Sequence, residues 1–141
     1  MAKTVLILED SPTQASIVSN LFKRAGYVPV VAHDEAGAVN ELKTRTCDLL
    51  VFDVFVGGSN TLEHLDIYRG LAPDAPIAIM TAGRRDDPLA ASAALNKARR
   101  AKVDFLLPKP FHYDDILQIC EDAARLMAQR SGGGGDAPLF V

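Results

Sequence analysis

Apolar runs of strand length alternate along the chain with stretches whose apolar residues recur at helical spacing. Val5-Leu6-Ile7-Leu8 is a continuous apolar run and reads as a strand buried on both faces. Ser11-Pro12-Thr13-Gln14 then supplies a cap, a proline at the first helical position and a glutamine three residues after the cap. Ile17, Val18, Leu21, Phe22 and Ala25 follow on one helical face, and Gly26 closes the helix. Val28 to Ala32 is a second strand, placed near a sheet edge by Pro29, which cannot donate to a ladder. A second helix is expected from Glu35 to Thr44. Leu49 to Phe52 is a third strand ending on Asp53, followed by a Gly57-Gly58-Ser59-Asn60 loop and a helix from about Thr61 to Leu71. Ile77 to Met80 is a fourth strand ending on Thr81. A helix from about Pro88 to Arg100, capped by Asp87, leads to a fifth strand at Phe105-Leu106-Leu107, which stops at Pro108-Lys109-Pro110. Asp114 or Asp115 is expected to cap a last helix reaching about Arg130. Five strand–helix units with short connections predict a single α/β domain, a doubly wound parallel sheet.

In such a sheet, ligands bind outside the carboxyl ends of the strands. Four of the five predicted strands end there in reactive side chains: Glu9 and Asp10, Asp53, Thr81, and Lys109. Clustered carboxylates repel one another unless a cation sits among them. Oxygen ligands of this kind suit Mg²⁺, which takes one or two carboxylates and keeps several waters. An aspartate can attack phosphorus as a nucleophile, with lysine and metal neutralising the phosphoryl oxygens. The edge therefore reads as a site for a divalent metal and a phosphoryl group.

Composition narrows the class. The chain has 141 residues, 48% of them hydrophobic, enough for one domain with its own core. No apolar run approaches the length of a membrane span, and no secretory leader is read, so a cytoplasmic protein without membrane insertion is expected. Cys47 and Cys120 read as buried reduced thiols, and His33, His64 and His112 show no metal-ligand spacing. The net charge of −3 conceals an asymmetry. Between residues 84 and 102, Arg84, Arg85, Lys97, Arg99, Arg100 and Lys102 face only Asp86 and Asp87. A positive segment on a negative domain points to a local anionic partner and away from a general nucleic-acid binder.

The quoted strand ends give the sequence a specific resemblance. Leu8-Glu9-Asp10-Ser11-Pro12, Val51-Phe52-Asp53-Val54, Met80-Thr81-Ala82 and Pro108-Lys109-Pro110-Phe111 resemble a response-regulator receiver domain of the CheY-like type. The resemblance implies a flavodoxin-like (βα)5 domain over residues 1–130, with strand order 2-1-3-4-5. It also implies Asp53 as phospho-acceptor, Asp10 as a direct Mg²⁺ ligand, Glu9 acting through water and the Phe55 carbonyl as a backbone ligand. Thr81 is the implied switch hydroxyl, and Lys109, before a cis Lys109–Pro110 bond, is the phosphoryl partner. A sensor histidine kinase or phosphotransfer protein is the implied donor. The chain is expected to be a signalling protein and not an enzyme, because it lacks the cap domain or substrate loops of an aspartate-dependent phosphotransferase. DNA binding is not expected.

The sequence departs from that pattern in three places. Val54 to Ser59 lacks the usual Met-Pro pair. The position three before Lys109 is Leu106, where an aromatic switch residue is usual, and Phe105 is one residue off and so faces the other side of the strand. The segment from Thr81 to Lys109 is about six residues longer than usual, and long segments inside compact domains are often functional. The extra length falls in an arginine-rich insertion at 82–102. Ser92, Asn96, Arg99 and Arg100 share one helix face there. Two readings stand: a basic docking surface for an acidic protein, or a guanine-dinucleotide site. Arginine pairs with guanine O6 and N7, and Asp86 or Asp87 can accept from its N–H groups. Arg84-x-x-Asp87 is similar to the cyclic di-GMP motif of diguanylate cyclase inhibitory sites. The longer match, ending in Ala98-Arg99-Arg100-Ala101, resembles the Cle group of CheY-like proteins, arginine-rich receivers that bind cyclic di-GMP and act on the flagellar motor. That resemblance implies a cyclic di-GMP effector modulating a flagellar switch or other signalling protein. Residues 131–141 read as a glycine-rich linker and flexible tail.

Overall fold

The computed structural model describes residues 2–82, 96–97 and 101–131. Seven strands and four α-helices are defined among them: β1 (Lys3–Leu8), α1 (Pro12–Arg24), β2 (Tyr27–Ala32), α2 (Glu35–Thr44), β3 (Leu49–Asp53), β4 (Phe55–Val56), β5 (Ser59–Asn60), α3 (Leu65–Leu71), β6 (Ile77–Ala82), β7 (Phe105–Lys109) and α4 (Tyr113–Ser131). Five strands form one parallel sheet in the order β2-β1-β3-β6-β7. This is the predicted order once the short β4–β5 hairpin is counted, and β2, with Pro29, lies at an edge.

Alternating side chains send the strands to two cores. Leu6, Leu8, Leu50, Phe52, Ile77 and Ile79 pack against α2 and α3 through Ala38, Leu42, Leu65 and Tyr68. Val5, Ile7, Leu49, Val51, Ala78 and Met80 pack against α1 and α4 through Val18, Phe22, Ile116 and Ala123. Central strands buried on both faces explain why β1 and β3 are continuous apolar runs. The one-residue offset in β7 has its predicted effect. Leu106 packs toward the α2–α3 side and Phe105 toward the α1–α4 side.

Local signals set most boundaries. Ser11 caps α1, its Oγ accepting from Gln14 N–H at 3.3 Å, with Pro12 in the first turn. Gly26, at φ +93°, takes the left-handed position after α1 that favours glycine. Three expectations are corrected. The 57–60 loop is part of the β4–β5 hairpin, closed by Gly57 and Gly58 at φ +56° and +82°, where two left-handed residues match the strand twist. The helix expected from Thr61 opens as a 3-10 turn (Thr61–His64) and becomes α-helical at Leu65. Asp115 does not precede α4 but sits in its first turn and accepts from His112 N–H at 2.8 Å. The same turn is thereby satisfied from inside.

The basic segment is only partly in view. Asn96 and Lys97 are helical and exposed. Arg84, Arg85, Asp86, Asp87, Ser92, Arg99 and Arg100, with the helix start at Asp87–Pro88, lie outside the described residues. So does the tail beyond Ser131, the residue on which α4 ends. The segment's return to the sheet is fixed from α3. Arg69 donates to the Ala101 and Lys102 carbonyls, the latter at 2.9 Å, and Lys102 turns the chain at φ +59°.

Candidate functional site

The carboxyl ends of β1, β3 and β7 bring Glu9, Asp10, Asp53 and Lys109 together, as the strand pattern predicts. Lys109 is the centre. Its ammonium lies 2.7 Å from Asp53 Oδ2, 3.0 Å from Glu9 Oε1 and 2.7 Å from Gln14 Oε1. An ammonium has three N–H donors, and these acceptors use all three. The other oxygens are held by backbone. Asp53 Oδ1 accepts from Phe55 N–H at 3.1 Å, Glu9 Oε2 from Ser11 N–H at 3.1 Å, and Asp10 Oδ2 from Gly57 N–H at 3.1 Å. The Lys109–Pro110 bond is cis.

The electrostatics follow from this packing. Burial pushes the Glu9 carboxyl above its ordinary value; the Lys109 and Ser11 hydrogen bonds oppose the rise, and the neighbouring Asp53 adds to it. The Gly57 N–H holds the Asp10 carboxyl below its usual range. Burial would lower the Lys109 ammonium, but the hydrogen bonds and charges of Asp53 and Glu9 outweigh it and raise the group.

Three carboxylates meet one ammonium at this edge, which leaves an excess of negative charge. The donors are all oxygens, the chemistry Mg²⁺ prefers. Among the described residues no three His, Cys, Asp or Glu side chains converge as a cage. That arrangement is not required for Mg²⁺, which needs only one or two carboxylates and completes its shell with water and backbone oxygen. Asp10 and Asp53 supply carboxylates of that kind at this edge. Thr81, half-buried, is the second-last residue of β6 and lies opposite Pro108 of β7.

Four contacts were not legible in the sequence. Gln14 reaches Lys109 across 95 residues of chain. Thr61, fully buried, donates from Oγ1 to the Asp53 carbonyl at 2.7 Å and fixes the backbone of the acidic residue. His33 donates from Nδ1 to the Glu9 carbonyl at 3.0 Å. Gly57 meets Asp10 because the hairpin folds back over the site; the Gly57-Gly58 pair between Val56 and Ser59 was the signal for it. Phe55, on the same hairpin, is 59% exposed. An apolar groove of about 450 Å³, lined by Ile17, Val18, Leu21, Pro110 and Phe111, opens onto Gln14 and Lys109.

Comparison with known proteins agrees with this architecture. The family described as response regulator receiver domain matches residues 5–121. The nitrogen assimilation regulatory protein NtrX of Azorhizobium caulinodans is 31% identical over 132 residues, covering 92% of this chain and 28% of NtrX. Response regulator MprA of Mycobacterium tuberculosis is 30% identical over 139 residues, covering 92% of the chain and 58% of MprA. The chain thus spans little more than half, or less, of the length of these relatives. Among solved structures, a response regulator from Thermotoga maritima aligns with a TM-score of 0.74 at 23% identity, covering 89% of this chain and 99% of that one. A Burkholderia pseudomallei response regulator with a phosphorylated aspartic acid, calcium ion and citrate aligns with a TM-score of 0.70 at 23% identity, covering 90% and 72%. Receiver domains are generally signalling proteins and not enzymes, bind Mg²⁺ for phosphorylation, and interact with histidine kinases or phosphotransfer proteins. Among the described residues no helix is long and apolar enough to cross a membrane. With a family match over most of its length and the matching fold beneath it, the chain belongs to the response regulator receiver domain family.

Proposed function

We propose that this chain is a phospho-accepting signalling module whose acceptor is Asp53. The observation that carries the reading is the Lys109 ammonium, 2.7 Å from Asp53 Oδ2 and 3.0 Å from the buried Glu9 at the ligand-binding edge of the sheet. A carboxylate oxygen of Asp53 attacks phosphorus of a phosphohistidine on a sensor kinase or phosphotransfer protein. The P–N bond breaks, the imidazole keeps the electron pair, and Asp53 becomes an acyl phosphate. Lys109 donates a hydrogen bond to a phosphoryl oxygen of the product. Thr81 turns its hydroxyl to the same group and so reports its arrival. Asp10, Asp53 and the Phe55 carbonyl, with Glu9 through water, would hold Mg²⁺. When bound, Mg²⁺ supplies positive charge to the phosphoryl oxygens. The phosphorylated aspartic acid named for the Burkholderia neighbour supports this chemistry by analogy. The test is labelling by a small acyl phosphate with Mg²⁺, followed by intact mass. The wild type gains one phosphoryl group, and Asp53→Asn gains none. An unlabelled wild type overturns the reading.

A second reading concerns the output, and one sequence observation favours it. Six basic residues stand against two acidic ones between residues 84 and 102 of an otherwise acidic chain. We infer a cyclic di-GMP effector in which Arg84, Arg85, Asp86, Asp87, Ser92, Asn96, Arg99 and Arg100 hold the ligand. The bound state would modulate a protein partner such as the flagellar switch. Leu106 in place of an aromatic switch weakens coupling through β7 and leaves the basic segment as the better route for output. Calorimetric titration with cyclic di-GMP tests it. Binding that Arg99→Ala with Arg100→Ala abolishes supports the reading, and absence of binding to the wild type removes it.

A further inference from the structure

Gln14 is the one uncharged group among the three acceptors around Lys109. Its place follows from the start of α1. The Ser11 cap receives the Gln14 N–H, Pro12 fixes the first turn, and the side chain rises from α1 to the ammonium. The three acceptors differ in depth. Glu9 lies on the buried side with its side chain 2% exposed, whereas the contact with Gln14 is on the solvent side. Glu9 alone would draw the ammonium inward, away from the direction in which a phosphoryl group reaches Asp53. Gln14 opposes that pull without adding negative charge to a site that already holds an excess.

We propose that Gln14 is a positioning residue for phosphoryl acceptance. Its Oε1 keeps the Lys109 ammonium at the solvent side of the carboxylate pair, with one N–H ready to follow the incoming phosphoryl oxygen. The amide suits this task in two ways. As a neutral acceptor it is the weakest of the three and releases the ammonium most readily when a dianion arrives. Its Nε2–H₂ has no partner among the described residues and can donate to a phosphoryl oxygen that enters beside it. A methionine at 14 keeps the length and helix propensity but removes both polar functions. A glutamate keeps the acceptor but replaces the donors with charge. This inference rests on the reading of Asp53 as acceptor.

Two measurements test it on the whole chain. The first is the labelling rate with acetyl phosphate and Mg²⁺ at pH 7.5. Loss of one hydrogen bond to a charged group in the transition state corresponds to about tenfold in rate, so Gln14→Met should label about tenfold more slowly. Gln14→Glu should be slower still, because a fourth carboxylate repels the donor. The second is the ¹H–¹⁵N spectrum of the lysine ammonium groups without donor. The Lys109 resonance, protected by three hydrogen bonds in the wild type, should persist in Gln14→Glu and broaden in Gln14→Met. A Gln14→Met protein that labels at the rate of a labelled wild type, or that keeps the resonance, overturns this inference alone. A wild type that takes no label overturns the acceptor reading and this inference with it.

Discussion

Replacing Lys109 by methionine removes the only cation in contact with Glu9 and Asp53 among the described residues. The three side chains are mostly buried, with exposures of 24% for Lys109, 2% for Glu9 and 15% for Asp53. Breaking a buried ion pair by deleting one partner typically costs about 3–5 kcal/mol, because the remaining charge loses its compensation. The partial exposure of Asp53 allows water to replace some of the lost interaction and places Lys109→Met near the low end, about 3 kcal/mol. The penalty has a pH signature. Burial already raises the Glu9 pKa above its ordinary value of 4.5, and loss of the ammonium raises it further. A group with a raised folded-state pKa stabilises the fold below its unfolded pKa, and that stability is lost as pH rises through the folded value. The variant is therefore most destabilised at neutral pH and regains stability as the pH falls toward 4.5. The wild-type ammonium, also raised, keeps its contribution up to pH values above 10.5. Urea denaturation followed by far-UV circular dichroism suits a chain without tryptophan. At about 1–3 kcal/mol per molar urea, the midpoint at pH 7.5 in a chelating buffer should fall by about 1–3 M. A variant as stable as the wild type at pH 7.5, or one with the same deficit at pH 7.5 and pH 5, would refute the reasoning.

Three further outcomes follow from single features. The Tyr68 hydroxyl is buried with no hydrogen-bond partner, and burial raises its pKa well above the ordinary value; Tyr68→Phe should therefore be neutral or stabilise by up to about 1 kcal/mol in the same denaturation assay. Burial pushes the Cys47 and Cys120 thiols up to about 11, so neither should react with a disulfide reagent at pH 8 until urea unfolds the chain, when both titrate. Gly57 and Gly58 occupy left-handed backbone, so valine at either should cost about 1–2 kcal/mol, read from the urea midpoint, and Gly57→Val should also loosen the hairpin's hold on Asp10.

The site was largely legible because a parallel sheet sorts residues by position. A carboxylate, hydroxyl or ammonium at the carboxyl end of an apolar run must reach the same edge as the others, whatever the details of packing. Glu9, Asp10, Asp53 and Lys109 were found that way, and Phe105 and Leu106 could be assigned opposite faces from strand periodicity alone. The hairpin at 55–60 was missed because its strands are two residues long, too short for any periodicity, leaving only the glycine pair as a signal. Asp115 was misplaced because a carboxylate one turn inside a helix and one just before it leave the same trace in sequence.

The sequence by itself determined the fold class, the edge position of β2 and the set of groups at the site, since each depends on local pattern: apolar runs, a proline in a ladder, the residue ending each strand. Tertiary structure alone decided how those groups divide the charge. Two carboxyl groups behave in opposite ways at adjacent positions. Glu9 is buried and rises in pKa, and Asp10 faces a hairpin N–H and falls. Neither direction is written in the pair of letters, because each depends on residues distant in the chain: Gly57 donates to Asp10, and the packing that buries Glu9 raises it against the opposing hydrogen bond of Lys109. The contact between Gln14 and Lys109 is of the same kind. Hydrogen bonds act over about 3 Å, and only the folded chain brings residues 95 positions apart within that reach.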